Sequence, residues 1–490
     1  GGPTDTMMPL AASPAIEGGT NTGCPSDDQR SVSRPIGPLC DVGAVEVSLN
    51  ELSGIVFEDV DFAGTATDWD TGVTDVGLPN VDVELYNAGD DSFVASTTTD
   101  GSGNFSFYVL DGNYKVRVRS ATIGDDPGGP DETAPAGGFE ACAGLGSCAL
   151  PLPEMTWAAG AALIGGQAAA VDDTATGDDA GPGDTWGAVT VSGSDVSGVN
   201  LGFSYELIVN TVDAADGQNA RSQQGSLRQF MKNSEVVVGT LTSYFSIPTS
   251  DPGYSASPLG YTIDVADVLP PIVDTTILDG TTQAGHVDAP IIELNGAGAG
   301  NTAGLNLGAG AAGSTIRGFV VNRFQSYGMI AMTDITIVGN YIGTDLAGTS
   351  PAGNGFAGII GLNNDLTIGG TVAADRNVIS GNVGHGVWIF GGTGTTIEGN
   401  YIGVDKDGGS AGMGNTQNGV FLEVPATVGG TVAEARNIIS GNTQHGVHVS
   451  AAGASGSVIH GNDIGLDAGG STGIGNGQQG VHVSDGATGT

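Results

Sequence analysis

The carboxy-terminal half of the chain is built from short apolar runs in which valine and isoleucine alternate with polar residues. ITIVGNYIGTD at 335–345 returns as TTIEGNYIGVD at 395–405 and as SVIHGNDIGLD at 457–467. NVISGN at 377–382 likewise returns as NIISGN at 437–442. Each run is bounded by Gly, Asn or Asp, which is typical of short strands separated by turns. A helical repeat would need longer windows with a 3.6-residue period.

These runs recur with a period of about 60 residues. A second series of short apolar runs, each containing a Gly-Val pair, divides that period. A strand this short cannot bury its apolar face alone, so it must stack on its neighbours. The pattern therefore predicts a parallel β-solenoid with two coils per unit, each coil adding ~4.8 Å along the axis. The second series is HGVWIF (385–390), NGVFLE (418–423), HGVHVS (445–450) and QGVHVS (479–484).

The first part of the chain has a different pattern. VDVELY, FSFYV and YKVRVRS alternate strictly, and Asp-Gly turns in TDGSGN and LDGNY favour antiparallel hairpins. We predict a small antiparallel β-sandwich over residues 48–204, with long loops in its Gly- and Pro-rich part. Residues 205–490 form the predicted solenoid. Its one clear helix, 225–235, has Ser226 as the N-cap and is expected to cover the open end of the coils.

Composition narrows the possible partners. The chain has 54 acidic against 13 basic residues and a net charge of −41, which disfavours nucleic acid because phosphate binding needs clustered Lys and Arg. The most apolar stretch, 155–171, is shorter than the ~20 residues that a membrane-spanning helix needs. We therefore expect neither a nucleic-acid partner nor a membrane span in this segment.

Several motifs resemble known families. GSLRQFM (225–231), LDGTTQAG (278–285), IRGFVVNRF (316–324) and the repeats resemble the right-handed parallel β-helix proteins of large bacterial surface and secreted polypeptides. Residues 1–47 include a segment that is similar to the closing segment of such helices. The predicted sandwich resembles SdrD B-like and Cna B-type domains of bacterial surface adhesins. The resemblance implies the end of one β-helix, a B-type domain and the start of another β-helix.

The four cysteines lie in two close pairs, Cys24 with Cys40 and Cys142 with Cys148. Local pairing favours disulfides and an oxidising, extracellular setting. A metal site is the weaker alternative, because there is no Cys-x-x-Cys spacing and no histidine near either pair.

Resemblance to the B-type family also implies a calcium site in an acidic loop. Carboxylate oxygens in a flexible loop are suitable Ca²⁺ ligands. The D-x-D-x-D-G spacing of such calcium loops is interrupted here, so a solvated acidic loop is the alternative. The candidate ligands are Asp59, Asp61, Asp68, Asp70 and Asp75.

A catalytic role is considered for Asp345, Asp405 and Asp467, which share one position in successive units. Two coils would separate neighbouring members by ~9.6 Å, at or beyond the ~6.5–9.5 Å of inverting glycosidases. A residue required in every unit is better explained by a turn, since Asp bonds readily to nearby backbone. The same reasoning applies to Arg376 and Arg436, each closely preceded by an acid.

A histidine metal stripe is the last candidate. His448 and His482 share a register, but the equivalent positions are interpreted as Trp388 and Leu422. Such variation favours an outward-facing surface over a metal site. The histidines concerned are His385, His445, His448, His460 and His482.

These observations predict an extracellular, non-enzymatic structural or adhesive protein. Open strand edges favour head-to-tail association of copies into a filament. Surface polysaccharide or other surface proteins are the other partners considered. The alternative is a polysaccharide-binding or pectate-lyase-like polysaccharide-degrading β-helix. An enzyme would need clustered acids and an aromatic or basic platform at a non-repeating position, and no such cluster is evident from the repeats.

Overall fold

The computed structural model describes residues 14–16, 18–35, 39–43, 45, 47–59, 62, 67–69, 75–119, 122–123, 153–158, 161–162, 187–214, 224–237, 239–363, 365–409 and 412–490. The fold is all-β, and the chain divides into two compact units. The first ends at Ser204 and the second contains the chain from Tyr205 onward. No helix among the described residues is long and apolar enough to cross a membrane.

Two sheets, A and B, make up the first unit. Sheet A contains β1 (Asn50–Glu58), β2 (Val76–Gly77), β5 (Asn104–Val109), β7 (Glu154–Ala158), β8 (Ala161–Ala162) and β10 (Leu201–Ser204). Sheet B contains β3 (Asp82–Asn87), β4 (Phe93–Thr98), β6 (Gly112–Val118) and β9 (Gly187–Val191), in the order β4-β3-β6-β9.

Alternating side chains form the core of this unit, as the sequence pattern predicts. Phe105 and Phe107 in β5 are buried, whereas Tyr108 is 46% exposed. The Asp100 carboxylate accepts from the backbone N–H groups of Ser102 and Asn104 in the turn before β5. The expectation of a wholly antiparallel arrangement is wrong in one place, because β1 pairs in parallel with β10.

The residues before β1 include one confirmed disulfide, between Cys24 and Cys40. The bond closes a segment of sequence separation 16. Cys142 and Cys148 lie outside the described residues.

The second unit starts with the predicted helix. Helix α1 (Leu227–Val236) has Ser226 as its N-cap, and the serine side chain accepts from the Gln229 N–H. Arg228 donates to the carbonyls of Asp267 and Val268, which ties the helix to the chain leading into the first coil. Just before and after the helix, β11 (Leu207–Ile208) and β13 (Tyr244–Phe245) form a two-stranded parallel sheet.

Three long sheets, named I, II and III, form the rest. Sheet I contains β12 (Leu241–Thr242), β16 (Thr276–Asp279), β19 (Ser314–Arg317), β22 (Ile335–Val338), β25 (Thr367–Gly369), β28 (Thr395–Glu398), β31 (Ala426–Val428) and β34 (Val458–Ile459). Sheet II contains β14 (Tyr254–Ala256), β15 (Leu259–Asp264), β17 (Ile292–Asn295), β20 (Phe319–Asn322), β23 (Tyr341–Ile342), β26 (Val378–Ile379), β29 (Tyr401–Ile402), β32 (Ile438–Ile439) and β35 (Asp463–Ile464). Sheet III contains β18 (Leu305–Leu307), β21 (Met329–Ala331), β24 (Ile359–Gly361), β27 (Val387–Ile389), β30 (Val420–Leu422), β33 (Val447–Val449) and β36 (Val481–Val483).

The chain visits sheets I, II and III in turn, so each circuit is one coil of a parallel solenoid. All pairings are parallel except the β14–β15 hairpin at the start of sheet II. Thr336 pairs with Thr367, and Thr367 pairs with Thr396. Because Thr336 and Thr396 are copies of each other in successive units, two coils per unit are confirmed.

Inward side chains from the three sheets form one continuous core. Ile316, Ile337, Ile368 and Ile397 occupy one column of sheet I and are 0% exposed. Equivalent columns line sheets II and III. The alternating apolar residues of the short runs are therefore the side chains that point into the core, as expected for a parallel solenoid.

Two columns of stacked asparagines lie at the bends between sheets. In each column the side-chain amide of one asparagine donates to the side-chain oxygen of the asparagine one coil further on. The distances are 2.9–3.2 Å in the first column and 2.9–3.1 Å in the second. The first is Asn340, Asn377, Asn400, Asn437 and Asn462, and the second is Asn354, Asn382, Asn415, Asn442 and Asn476.

Loops between sheets II and III fold back over the outer face of sheet II. Val320, Tyr341 and Val378 point outward from consecutive strands but are buried, with Leu346 of a loop packed against them. The outer face of sheet II is therefore covered by the protein itself.

Candidate binding surface on sheet III

The outward positions of sheet III form an unusual column. Each three-residue strand turns its first and last side chains inward and its central side chain outward. The seven central residues in register are Asn306, Ile330, Ile360, Trp388, Phe421, His448 and His482. Trp388, Phe421 and His448 are half-buried, whereas their inward neighbours are fully buried.

The predicted register needs one correction here. Leu422 pairs with Val449 and is fully buried, so it is not the equivalent of His448. Phe421 occupies that position instead. A shift of one residue along a strand moves a side chain to the opposite face, which is why an error of one position hid an aromatic column. The outward orientation of His448 and His482 is confirmed.

Rings from the adjacent bends extend this column into a continuous strip, which we call the aromatic stripe. His385 stacks on Phe421 with ring centroids 4.6 Å apart, and His445 stacks on His482 at 4.4 Å. Tyr327 stacks on Phe356 at 5.5 Å. The stripe comprises Tyr327, Phe356, His385, Trp388, Phe390, Phe421, His445, His448 and His482.

The stripe remains accessible to solvent at its margins. Phe356 is 55% exposed and Phe390 is 52% exposed, although both are large apolar residues. Surface apolar residues are common singly, but a contiguous row of them marks an interaction surface. Aromatic rings contribute a large contact area together with a preferred stacking geometry.

Three histidines of the stripe, His385, His445 and His448, have a lowered pKa and are neutral at pH 7. Burial lowers the pKa of His385 to about 4, with a smaller effect from His448. Burial, followed by the neighbouring imidazoles, also lowers the pKa of His445 and of His448. Asp485 opposes this effect at His448, and its carboxylate accepts from the hydroxyls of Ser450 and Ser484. Most of the stripe is thus an uncharged surface on a strongly acidic protein.

The five candidate histidines do not all come together. His385, His445, His448 and His482 lie in the stripe, whereas His460 follows β34 of sheet I. Within the described ranges, no group of three or more His, Cys, Asp or Glu side chains is arranged to hold a metal ion. The contacts that the stripe does show are those between its rings.

The acidic loop of the first unit is only partly described. Asp61 and Asp70 lie outside the described residues. The Asp59 carboxylate accepts from the Thr67 hydroxyl at 3.2 Å, and Asp68 accepts from the Asn200 side chain at 2.9 Å. Asp75 lies just before β2. These described carboxylates form no three-ligand group, so the calcium site stays a prediction.

The repeated aspartates all have the same role in the loops that cover sheet II. Asp345 accepts from the N–H groups of Thr349 and Ser350. Asp405 and Asp467 accept in the same way from amides two to five residues further on. This geometry agrees with the turn interpretation of their recurrence.

Within the described part of the chain, neither repeated arginine forms an ion pair with the acid that precedes it. Arg436 pairs with Asp463 at 2.9 Å and not with Glu434. Arg376 lies above the ring of Tyr401. These two copies therefore have different surroundings.

No protein-family model matches this chain, and no curated protein is significantly similar to it.

Proposed function

We propose that this chain is an extracellular adhesive scaffold that binds polysaccharide through the aromatic stripe of sheet III. The observation that carries the proposal is the row of stacked, mostly uncharged rings on one outer face of the solenoid. Pyranose rings present C–H groups on their faces, and these groups pack favourably on aromatic faces. A row of rings along the solenoid axis suits an extended chain of sugars more than a single small molecule.

Charge selects among polysaccharides. The protein carries a net charge of −41, so an anionic polymer would be repelled over the whole surface. His385, His445 and His448 in the stripe are neutral at pH 7 and offer such a polymer no compensating charge. We therefore infer that the preferred partner is a neutral polysaccharide.

Three other features support the proposal that the protein is an extracellular surface protein. The Cys24–Cys40 disulfide is typical of proteins that mature in an oxidising compartment. The stacked amides make a solenoid whose coils are joined by buried hydrogen bonds, which suits a stiff support for an adhesive surface. Resemblance to β-helix surface proteins and to B-type adhesin domains points in the same direction.

Affinity electrophoresis in gels containing neutral polysaccharides tests the proposal. We expect retardation of the wild-type protein by at least one of them, and we expect Trp388→Ala and Phe421→Ala to reduce it severalfold. Tyr108→Ala is the matched control, because Tyr108 is an exposed aromatic residue of the other unit. If Trp388→Ala and Phe421→Ala are retarded as strongly as the wild type, the stripe is refuted as the binding surface. The same conclusion follows if no neutral polysaccharide retards the wild type.

Two further predictions from the sequence are tested alongside. Release of reducing ends during incubation with the bound polysaccharide would favour the degrading alternative over simple adhesion. Electron microscopy tests head-to-tail self-association, for which isolated particles without longitudinal contacts would be the contrary result.

A further inference from the structure

A cavity of about 440 Å³ lies where sheets I and II meet, away from the outward column of sheet III. Its walls come from the loop after β16, the turns after β19 and β22, and the loop before β26. These segments belong to different coils, and the loop after β16 has no copy in the repeat. The lining includes His286, Asp288, Arg317, Tyr341, Asp375 and Arg376. Pockets of this volume are typical of small-molecule sites.

Arg376 is held in a fixed orientation at this cavity. Its Nε donates to the Gly399 carbonyl at 3.1 Å, and its guanidinium carbon lies 4.3 Å from the centroid of the Tyr401 ring. The Gly399 carbonyl fixes one edge of the planar guanidinium, and the Tyr401 ring covers one of its faces. Its two terminal amino groups make no hydrogen bond or ion pair with the described part of the chain.

This arrangement sets Arg376 apart from the other described arginines of the second unit. Each of those has a carboxylate partner: Arg228 with Asp213, Arg317 with Asp279, Arg323 with Glu293, and Arg436 with Asp463. The contrast with Arg436 is the most informative, because it occupies the same position in the next unit. The partner of Arg436 is Asp463, which occupies the position two strands after Tyr401 in the same column of sheet II. Its carboxylate neutralises Arg436.

The other polar groups of the cavity complement this donor. Asp288 and Asp375 supply carboxylates that accept no hydrogen bond from any described residue, so their oxygens are available. His286 is uncharged at pH 7, because burial lowers its pKa. Arg317 is engaged by Asp279, which also helps keep its pKa raised. The cavity thus combines one arginine whose terminal amino groups have no hydrogen-bond partner among the described residues with two carboxylates that accept no hydrogen bond from them.

That balance excludes strongly anionic ligands and favours a ligand with many hydroxyl groups. Phosphate or sulfate would meet two carboxylates and only one unpaired guanidinium. A sugar hydroxyl both donates and accepts, so adjacent hydroxyls can bond to an arginine and to an aspartate at once. Val287 and Val338 add apolar surface to the wall.

We propose that this cavity binds a single neutral saccharide unit. Its adjacent hydroxyls accept from the terminal amino groups of Arg376 and donate to Asp288 and Asp375. This site goes beyond the proposed adhesive function, since it lies on another face of the solenoid and does not involve the aromatic stripe.

Saturation-transfer difference NMR tests the site with methyl glycosides of glucose, galactose and mannose as probes. We expect at least one of them to bind the wild-type protein. We expect Arg376→Ala to weaken that binding at least tenfold, because it removes the two terminal amino groups that donate to the sugar hydroxyls. Arg376→Lys should weaken it as well, since a lysine cannot donate in the same planar geometry.

Arg436→Ala is the matched control, because it changes the same residue one unit further on, outside the cavity. It should leave the binding of the methyl glycoside within twofold of wild type. Far-UV circular dichroism and the unfolding midpoint would show whether each variant is folded. Binding by a folded Arg376→Ala protein with wild-type affinity, or no binding of any methyl glycoside by wild type, overturns the proposal.

Two additional arms identify the ligand class and the site. Galacturonate and inorganic phosphate should bind more weakly than the neutral glycoside, and preferential binding of either one overturns the assignment. Trp388→Ala reports whether the aromatic stripe contributes to the binding of the same glycoside. If it abolishes glycoside binding while Arg376→Ala does not, the saccharide is held by the stripe and the cavity is not the site.

Discussion

The asparagine columns allow the sharpest test of how the solenoid is held together. Asn400, in the middle of the first column, is fully buried. Its side chain donates to the carbonyls of Ile368 and Glu398 and to the side-chain oxygen of Asn437, at 2.9–3.1 Å. It accepts from both the backbone and the side-chain N–H groups of Asn377, at 3.2 and 2.9 Å. Asn400→Ala removes all five of these bonds.

The cost follows from the groups that are left behind. The Asn377 side chain still donates to the Ile337 carbonyl, and the Asn437 oxygen still accepts from the backbone of residue 400. The Asn377 backbone N–H, however, loses the Asn400 side-chain oxygen as its acceptor and stays buried. One buried unpaired donor costs about 1–3 kcal/mol, and the other lost bonds add to this. We expect Asn400→Ala to lower the free energy of unfolding by about 2–4 kcal/mol.

Guanidinium unfolding followed by circular dichroism measures this loss, and hydrogen exchange locates it. Because coils contact only their neighbours, exchange should increase mainly in the coils flanking residue 400. Thr396→Ala is the control, since Thr396 is a half-buried outward residue of the preceding strand β28. A difference below about 0.5 kcal/mol between the two variants would refute the argument that the amide column stabilises the coils.

Three other predictions concern pH, the disulfide and calcium. Since burial lowers the pKa of His385 from 6.5 to about 4, the unfolded chain is protonated first as the pH falls. Stability should therefore decrease from pH 6.5 to 4, and His385→Gln should reduce this decrease in pH-dependent unfolding; an unchanged slope would contradict it. Replacing Cys24 and Cys40 by serine should destabilise the first unit by about 3 kcal/mol in calorimetry, whereas an unaltered transition would show that the bond contributes little. If the acidic loop binds calcium, EDTA should lower the melting temperature of wild type but not of Asp59→Asn, and equal curves with and without EDTA would count against the site.

The parts of the fold that were predictable are those that every coil must repeat. Inward isoleucines and buried asparagines satisfy the same packing and hydrogen-bond demands in each coil, so the chain shows them as a period. Asn377 and Asn437 illustrate this, because both donate to the next asparagine and to an inward strand carbonyl. The recurring Asp345, Asp405 and Asp467 are explained in the same way by the turns they cap.

The candidate sites were harder to predict because they depend on residues that the repeat does not constrain. The central residue of a sheet III strand can be Ile360, Trp388 or His448 without disturbing the core, so no period marks it. Strands of three residues also leave the register uncertain by one position, and that error exchanged Phe421 for Leu422. The cavity beside Arg376 includes His286, which the stacking of coils brings near from a distant part of the chain.

The same separation of faces allows the proposed adhesion to be tested separately from stability in this solenoid. Phe421 contributes its ring to the outer surface, while its neighbours Val420 and Leu422 are fully buried in the core. A change at Phe421 should therefore affect polysaccharide binding much more than the unfolding midpoint, and a change at Asn400 should do the reverse. If both changes lowered stability and binding together, the stripe would be part of the packing that holds the coils in place. Comparing these two variants thus decides whether the stripe is a binding surface carried by the scaffold or a component of the scaffold itself.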